Sequence, residues 1–427
     1  MQLPSGTRLR LWWERASWVL PLLGILSGWV LVVLVEFIDE VVYAVAGVEN
    51  GVSGEAATAV LAAVGGGMIT FSGFVFSFAI LIVQFGSSAY SPRMVSYFLR
   101  RRATQWILAV FLGTISYCFL GLTSIGSQGR AQFVPTLTVT VALCLLGASL
   151  FGFIVLMFAT GSQIRVDSVL ASIGRHSRRQ LPRRLPKLDR APSTGDEAAV
   201  PAAADELMPI HYRGRSGQIV AIDSRHLVRI ARRQGIVLEI SQRVGDAITE
   251  GTPIARVPSA TAKLERAVSR ALVVDDERSL VHDPLYALRL LVDIAIRALS
   301  PAVNDPTTAV RALDEIEGVL RSASTRRLGS QRIDAAPGAV VLSTATWDEV
   351  VDLALLEIAD CGRGQVQISR RMVALLDDLT PDVPDERRPI LQRYRAALES
   401  AVMDGALSGR SREVALRGDR QGLGGSA

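Results

Sequence analysis

The sequence predicts a membrane α-helical domain of four transmembrane helices, followed by a cytoplasmic α+β region with a small barrel-sandwich-like β module and a helical module. Residues 16–35, 56–92, 103–129 and 131–164 contain no charged side chain. Each of these stretches can supply the roughly 20 apolar residues that cross a bilayer. The rest of the chain carries most of the charges and alternates short strand patterns with amphipathic helical patterns. The chain therefore divides into an apolar first part and a polar second part.

The order of the elements predicts six regions. A transmembrane domain covers residues 1–160, with helices at about 16–37, 58–86, 104–125 and 134–160. The regions that follow it are a basic juxtamembrane helix (161–190), a linker (191–206), the small β module (207–258), a helical cytoplasmic domain (259–404) and a disordered tail (405–427). The linker and the tail are rich in small and polar residues, which cannot build a core.

The distribution of arginine predicts the orientation in the membrane. Arginines precede the first predicted helix, separate the second from the third, and follow the fourth. The charged residues of the loop after the first helix are all acids: Asp39, Glu40, Glu49 and Glu55. Basic loops stay in the cytoplasm. We therefore expect a multi-pass protein with its N-terminus and its C-terminal domain in the cytoplasm.

The second apolar stretch carries a stripe of small and polar residues. Gly66, Thr70, Gly73, Ser77 and Gln84 recur at offsets of four, three, four and seven, which places them on one face of a helix. A polar stripe in lipid needs a partner, and two interpretations stay open. The stripe either packs against another helix or lines a pore. The first stretch holds Gly24 and Gly28 in a GxxxG spacing, for which we expect helix packing.

A second polar pattern lies in the cytoplasmic half. Asp283 with Pro284, and Asp305 with Pro306, each have the form of a helix start. On the first of these two helices the charged residues follow at intervals of four, and polar residues continue into the turn after it: Arg289, Asp293, Arg297, Ser300, Asn304 and Asp305. The pattern indicates either a site for an ion or an anionic ligand, or a polar lock between helices or subunits.

Other classes of function lack a signature in this sequence. The four histidines are scattered without the spacing of metal ligands, so no metal site is expected. No nucleophile accompanies His282, and we expect neither catalysis nor a cofactor. Most of the basic excess behind the net charge of +5 lies beside the membrane helices. There it attracts anionic lipid headgroups, and a nucleic-acid partner is not expected.

Two resemblances add to these patterns. The segment RVGDAITEGTPIARV, residues 243–257, resembles the turn of biotinyl and lipoyl carrier modules, although no lysine lies between Arg213 and Pro258 to bear a prosthetic group. The strings DPLYALRLLVDIAIRALSPAVNDPTTAVRALD (283–314), FSFAILIVQFGSSAYSPRMVSYFLRRRATQWILAVFLGTISYC (76–118) and SGQIVAID (216–223) resemble a family of bacterial membrane proteins known as domain of unknown function 2254. That resemblance implies a bacterial inner-membrane location and supplies no activity.

Two functions are compatible with this organisation. The first is an oligomeric passive ion-conducting channel, lined by the stripe of the second helix and regulated by its cytoplasmic domain. The transmembrane stretches lack the acids, bases and histidines that driven transport needs, and four helices cannot enclose a wide polar path without oligomerisation. The second is a non-conducting membrane-anchored scaffold or sensor that recruits a protein partner. An enzyme is not expected.

Overall fold

A computed structural model describes residues 18–46, 53–89, 102–127, 136–163, 165–188, 207–278, 280, 283–405 and 407–420. The chain divides into two compact units, and the boundary along the sequence lies between Arg165 and Val166. We call the part before this boundary the membrane unit and the part after it the second unit. Trp12, Trp13, His282 and all the arginines of the first 101 residues lie outside the described residues.

The membrane unit contains four helices that are long and apolar enough to cross a bilayer, as predicted. They are α1 (Val19–Ala46), α2 (Gly54–Ala89), α3 (Arg102–Ser127) and α4 (Thr136–Gln163). Helix α1 continues nine residues beyond its predicted end at 37, because its acids do not end the helix. One of them, Asp39, is buried against the start of α4.

Helices α1 and α3 approach each other closely through glycine. A Cβ atom at Gly24 would overlap the backbone of Ala109, and one at Gly28 would overlap the carbonyl of Gly113. The Ser116 hydroxyl donates a hydrogen bond to the carbonyl of Ile25 across this contact at 3.2 Å. The GxxxG spacing of the first helix therefore serves helix packing within the chain.

The second unit is built around helix α8, which is buried along almost its whole length. Its helices are α5 (Val166–Arg184), α6 (Ser224–Gln234), α7 (Ala262–Ser269), α8 (Pro284–Ala298), α9 (Pro306–Ala323), α10 (Trp347–Cys361), α11 (Val366–Leu379), α12 (Arg388–Asp404) and α13 (Gly409–Ala415). Helices α5, α9 and α10 surround α8. Asp283 caps α8 by accepting hydrogen bonds from the backbone amides of Leu285 and Tyr286, and Asp305 caps α9 through the amide of Thr308. Both helix starts agree with the sequence.

The described residues of the second unit form eight strands in two sheets. They are β1 (Met208–His211), β2 (Gly217–Ile222), β3 (Val237–Ile240), β4 (Ala247–Ile248), β5 (Pro253–Val257), β6 (Leu272–Asp275), β7 (Ser330–Ala335) and β8 (Gly338–Ser343). The larger sheet has the order β1-β5-β3-β8-β7, and the smaller has the order β4-β2-β6. Among these described strands the β3–β8 pair is parallel and the other named pairs are antiparallel.

The sheets differ from the barrel-sandwich form that the sequence indicates, because the described strands do not close into a barrel. Strand β6 and the β7–β8 hairpin come from residues after 258, in the range predicted to be helical. Both turn glycines adopt positive φ, 99° at Gly245 and 87° at Gly251. The glycine-containing turns thus reflect turn geometry, and they do not distinguish a barrel from two open sheets.

Helix α5 corresponds to the predicted juxtamembrane helix, and it packs into the second unit. Its apolar side, including Val169, Leu170 and Ile173, is buried. Ser177 donates a hydrogen bond to the carbonyl of Pro284, and Arg178 pairs with Glu315 at 2.7 Å. The amphipathic pattern therefore covers a protein core, although an interfacial helix has the same pattern.

The C-terminal segment differs from the prediction of a disordered tail. Helix α13 contacts α11, and the buried Arg370 donates a hydrogen bond to the carbonyl of Arg417 at 3.0 Å. Asp419 pairs with Arg370 at 3.4 Å, with only 6% of each side chain exposed. Composition predicts disorder here, but the buried ion pair between Asp419 and Arg370 of α11 holds the segment.

We predict that Gly24→Val destabilises the membrane unit by about 1–3 kcal/mol, because the added side chain overlaps the backbone of Ala109. Thermal unfolding of the purified full chain in detergent measures the effect. Gly67→Val is the matched control, since a Cβ at Gly67 meets no atom within 4 Å. Equal unfolding midpoints for the two variants would contradict the packing described here.

The second unit should lose stability as the pH falls below about 6.5, the ordinary pKa of histidine. Burial lowers the pKa of His176, whose Nε2 lies 3.1 Å from the carbonyl oxygen of Leu280. The unfolded chain therefore takes up a proton near this pH that the folded chain does not, which favours unfolding. Unfolding midpoints at about pH 7.5 and about pH 5 measure the loss. His176→Gln keeps a donor for Leu280 and should reduce the difference; an unchanged difference contradicts the assignment.

Candidate functional site

The stripe of α2 lies on the outer face of the membrane unit. All five of its predicted members, Gly66, Thr70, Gly73, Ser77 and Gln84, are exposed. The buried residues of the same helix lie on its opposite face and include Ala57, Leu61, Val64, Met68 and Val75. The stripe is therefore turned away from the chain's own bundle.

The glycines of the stripe show that no neighbouring helix covers it within the described part of the chain. A Cβ atom built at Gly66 or Gly73 meets no atom within 4 Å. At Gly24 and Gly28 the same test gives overlap with another backbone. Gly24 and Gly28 of α1 are thus used inside the bundle, whereas Gly66 and Gly73 of α2 are left uncovered by the described residues.

The hydroxyls of the stripe bond to their own helix. Ser77 donates a hydrogen bond to the carbonyl of Gly73 at 3.0 Å, and Thr70 donates one to the carbonyl of Gly66 at 3.4 Å. Each hydroxyl oxygen keeps acceptor capacity toward the outside. The stripe can therefore face either a dry partner or water.

The structure extends the stripe beyond the residues that sequence patterns identify. Ala59, Ala62 and Ala63 are exposed on the same side of α2, and the exposed Glu55 lies at the start of that face. Alanine is common in any membrane helix, so only the three- and four-residue spacing from Gly66 could have identified these positions. The bulky exposed residues Phe74 and Phe76 flank the stripe.

A buried polar cluster joins α1, α3 and α4. Asp39, only 8% exposed, accepts hydrogen bonds from the amides of Leu137 and Thr138 and from the Thr138 hydroxyl. The Tyr117 hydroxyl donates to the carbonyl of Thr138 at 3.0 Å. Asp39 thereby supplies the cap for α4, because it accepts from the free amides at the start of that helix. The sequence places Asp39 in a loop, so this role was missed.

The cytoplasmic polar pattern divides into two groups in the structure. Arg289 donates to Asp293 at 2.7 Å and holds Glu357 of α10 through both of its terminal nitrogens. The Glu357 carboxylate raises the pKa of the Arg289 guanidinium above its ordinary value. Glu357 was not predicted, because its separation from Arg289 along the chain leaves no local pattern.

The other predicted residues of this pattern organise the turn between α8 and α9. The Ser300 hydroxyl donates to the carbonyl of Arg297 at 2.7 Å. Asn304 has a positive φ of 45°, and its side chain accepts from the Gln365 amide at 3.4 Å. The pattern thus contacts α10 through Arg289 and the start of α11 through Asn304, and whether it also binds a ligand stays open.

The described residues contain no group of three or more His, Cys, Asp and Glu side chains placed to hold a metal ion.

Residues 14–378 match a protein family described as predicted membrane protein (DUF2254). The chain belongs to this family. Uncharacterized proteins of Mycobacterium bovis (strain ATCC BAA-935 / AF2122/97) and Mycobacterium tuberculosis (strain ATCC 25618 / H37Rv) are 30% identical to it over 329 residues. The match covers 72% of this chain and 61% of each relative, so the chain spans about three fifths of their length. No solved structure matches the chain.

The DUF2254 match includes both polar patterns. It begins before α1, contains the whole of α2 and the Arg289 group, and ends at Asp378, one residue before the end of α11. Helices α12 and α13 lie outside it. The two candidate sites thus lie within the residues that match the DUF2254 family.

Breaking the Arg289 group should affect stability unequally. Arg289→Met should cost about 1.5–3 kcal/mol of unfolding free energy, because the carboxylate of Asp293, with 10% of its side chain exposed, loses a charged donor. Glu357→Gln should cost about 1 kcal/mol or less, since 45% of the Glu357 side chain is exposed. Urea unfolding of the purified full chain measures both. A larger loss for Glu357→Gln would contradict this ranking.

Proposed function

We propose that this DUF2254 protein is a homo-oligomeric, passive ion-conducting channel in which the α2 helices of several copies face one another. The observation that carries the proposal is the outward stripe of small and polar residues on α2. Lipid gives little stabilisation to a helix face of glycines and hydroxyls. Such a face is stabilised more by close packing against another such face or by contact with water.

The chemistry of the stripe favours passive conduction. From Ala56 to Pro92 the sequence has no charged side chain, and Thr70, Ser77 and Gln84 are spaced along α2. Hydroxyls, amides and carbonyls are sufficient to line a gated pore. Driven transport generally uses an intramembrane acid or base, and none interrupts this stripe.

A non-conducting scaffold is the second candidate, and one observation favours it. Thr70 and Ser77 already donate to carbonyls of α2, so the stripe needs no water to satisfy its donors. Two copies could therefore join through a dry contact. The second unit would then recruit a protein partner, and no conduction would follow.

The proposal includes an orientation and a role for the second unit. The arginine-rich flanks of the apolar helices support a location of both termini in the cytoplasm, and the family resemblance supports the bacterial inner membrane. The second unit would act as the regulatory domain of the channel. We propose no enzymatic activity, because neither polar pattern pairs a nucleophile with a base.

The test compares neighbouring glycines of α2 in the purified full chain. Gly66→Leu should shift the oligomer to smaller species in mild detergent, because it fills the uncovered face. Gly67→Leu is the control, since Gly67 is equally open but lies about 100° around the helix, off the stripe. Ion flux into liposomes should fall to the level of empty vesicles with Gly66→Leu and by about tenfold or more with Ser77→Leu.

The outcomes separate the candidates. Flux lost with Gly66→Leu and retained with Gly67→Leu supports the channel. An oligomer that depends on Gly66 but conducts no ion across a range of voltages and tensions favours the scaffold. A wild-type protein that is monomeric in mild detergent and in lipid overturns the proposal.

A further inference from the structure

Helix α6 of the second unit presents a wholly basic outer face. It carries four arginines and no acidic residue, and all four are exposed: Arg225, Arg229, Arg232 and Arg233. Their offsets of four, seven and eight residues place them on one side of the helix. The opposite side, with Leu227 and Ile230, is buried in the core.

Helix α7 continues this basic surface. It contacts α6, and Leu264 and Val268 of α7 belong to the same apolar core as Leu227 of α6. Its exposed side holds Lys263 and Arg266, followed by Arg270 at its end. We call the seven exposed residues of the two helices the basic face: Arg225, Arg229, Arg232, Arg233, Lys263, Arg266 and Arg270.

Carboxylates of the second unit leave much of the basic face unneutralised. Within the described residues, no carboxylate lies at ion-pair distance from Arg232, Arg233, Lys263 or Arg266. The acid of α7, Glu265, is instead held by Arg213 at 3.0 Å and by His211. The hydrogen bond from Arg213 keeps the pKa of Glu265 below its usual value, so this carboxylate stays charged and engaged.

We infer that the basic face binds the anionic headgroups of a phospholipid bilayer. The second unit begins at Val166, three residues after the end of α4 at Gln163, so a short connection ties it to a membrane helix. This tether gives the basic face a high effective concentration of headgroups. Each lysine or arginine near an anionic surface adds attraction. Helices α6 and α7 carry no Phe, Tyr or Trp on which a base could stack, which disfavours single-stranded nucleic acid.

This contact is independent of conduction by α2, and it can be measured on the full chain in lipid nanodiscs. A donor dye is attached through Gln234→Cys at the exposed end of α6, with Cys144→Ala and Cys361→Ala removing the other exposed thiols. The acceptor is a headgroup-labelled lipid. Nanodiscs contain phosphatidylcholine alone or with about 30 mol% phosphatidylglycerol.

Energy transfer should rise about twofold or more with phosphatidylglycerol, and about 0.5 M NaCl should abolish the rise because salt screens exposed charges. The triple variant Arg229→Gln, Arg232→Gln, Arg233→Gln should lose it. The matched control, Arg363→Gln, Arg393→Gln, Arg410→Gln, removes the same charge from exposed sites outside the basic face and should retain it.

Two results would overturn the inference. One is equal transfer in neutral and anionic nanodiscs for the wild type. The other is a rise that the control variant loses as fully as the basic-face variant, which would mark a general charge effect. Unchanged transfer together with binding of an RNA oligonucleotide that needs Arg232 and Arg233 would assign the basic face to nucleic acid, and it would equally reject the lipid assignment.

Discussion

Two helix backbones in a bilayer approach closely only where neither carries a bulky side chain, and α1 meets α3 under this constraint. Gly24 and Gly28 face Ala109 and Gly113, and each glycine leaves no room for a Cβ. Because lipid is as apolar as leucine, association here depends on close packing and on bonds such as that from Ser116 to Ile25. Asp39 then ties the far part of α1 to the start of α4. With the inner side of α2 packed on α3 and α4, the arrangement leaves the stripe outside.

The second unit is held by a different device, the buried arginine. Arg371, with 5% of its side chain exposed, bonds Asp314 and Glu317 of α9 at 2.7 Å each. Arg387 donates to the carbonyls of Ala323 and Ser324, which end α9 without partners inside the helix. A guanidinium can satisfy several acceptors at once, so one side chain can fix a helix end and its neighbour. The arginine-rich composition is therefore partly structural.

The sequence patterns correctly predicted the helices and caps that depend on residues close together in the chain. The four apolar helices and the caps at Asp283 and Asp305 follow from residues within one or two turns. The pairing of β3 with β8 and the bond from Arg289 to Glu357 join residues far apart in the sequence, and no period reveals them. The stripe was visible as a face of α2, but which way it points depends on where the glycines of α1 pack. The order of the C-terminal segment depends on Arg370, which lies in another helix.

Two surfaces remain exposed among the residues that the structure describes, and their chemistries call for different partners. The basic face can be satisfied by mobile anions or headgroups, because a charge needs no shape complementarity. The stripe of α2 is uncharged, so it is stabilised by van der Waals contact with a surface that approaches closely. A second copy supplies such a surface without any further gene product, since every copy carries the same glycines at the same height in the membrane. A self-complementary face closes by rotation into a symmetric assembly. An uncharged face of small residues gains stability by packing closely against another such face, and self-association supplies that face with no other partner.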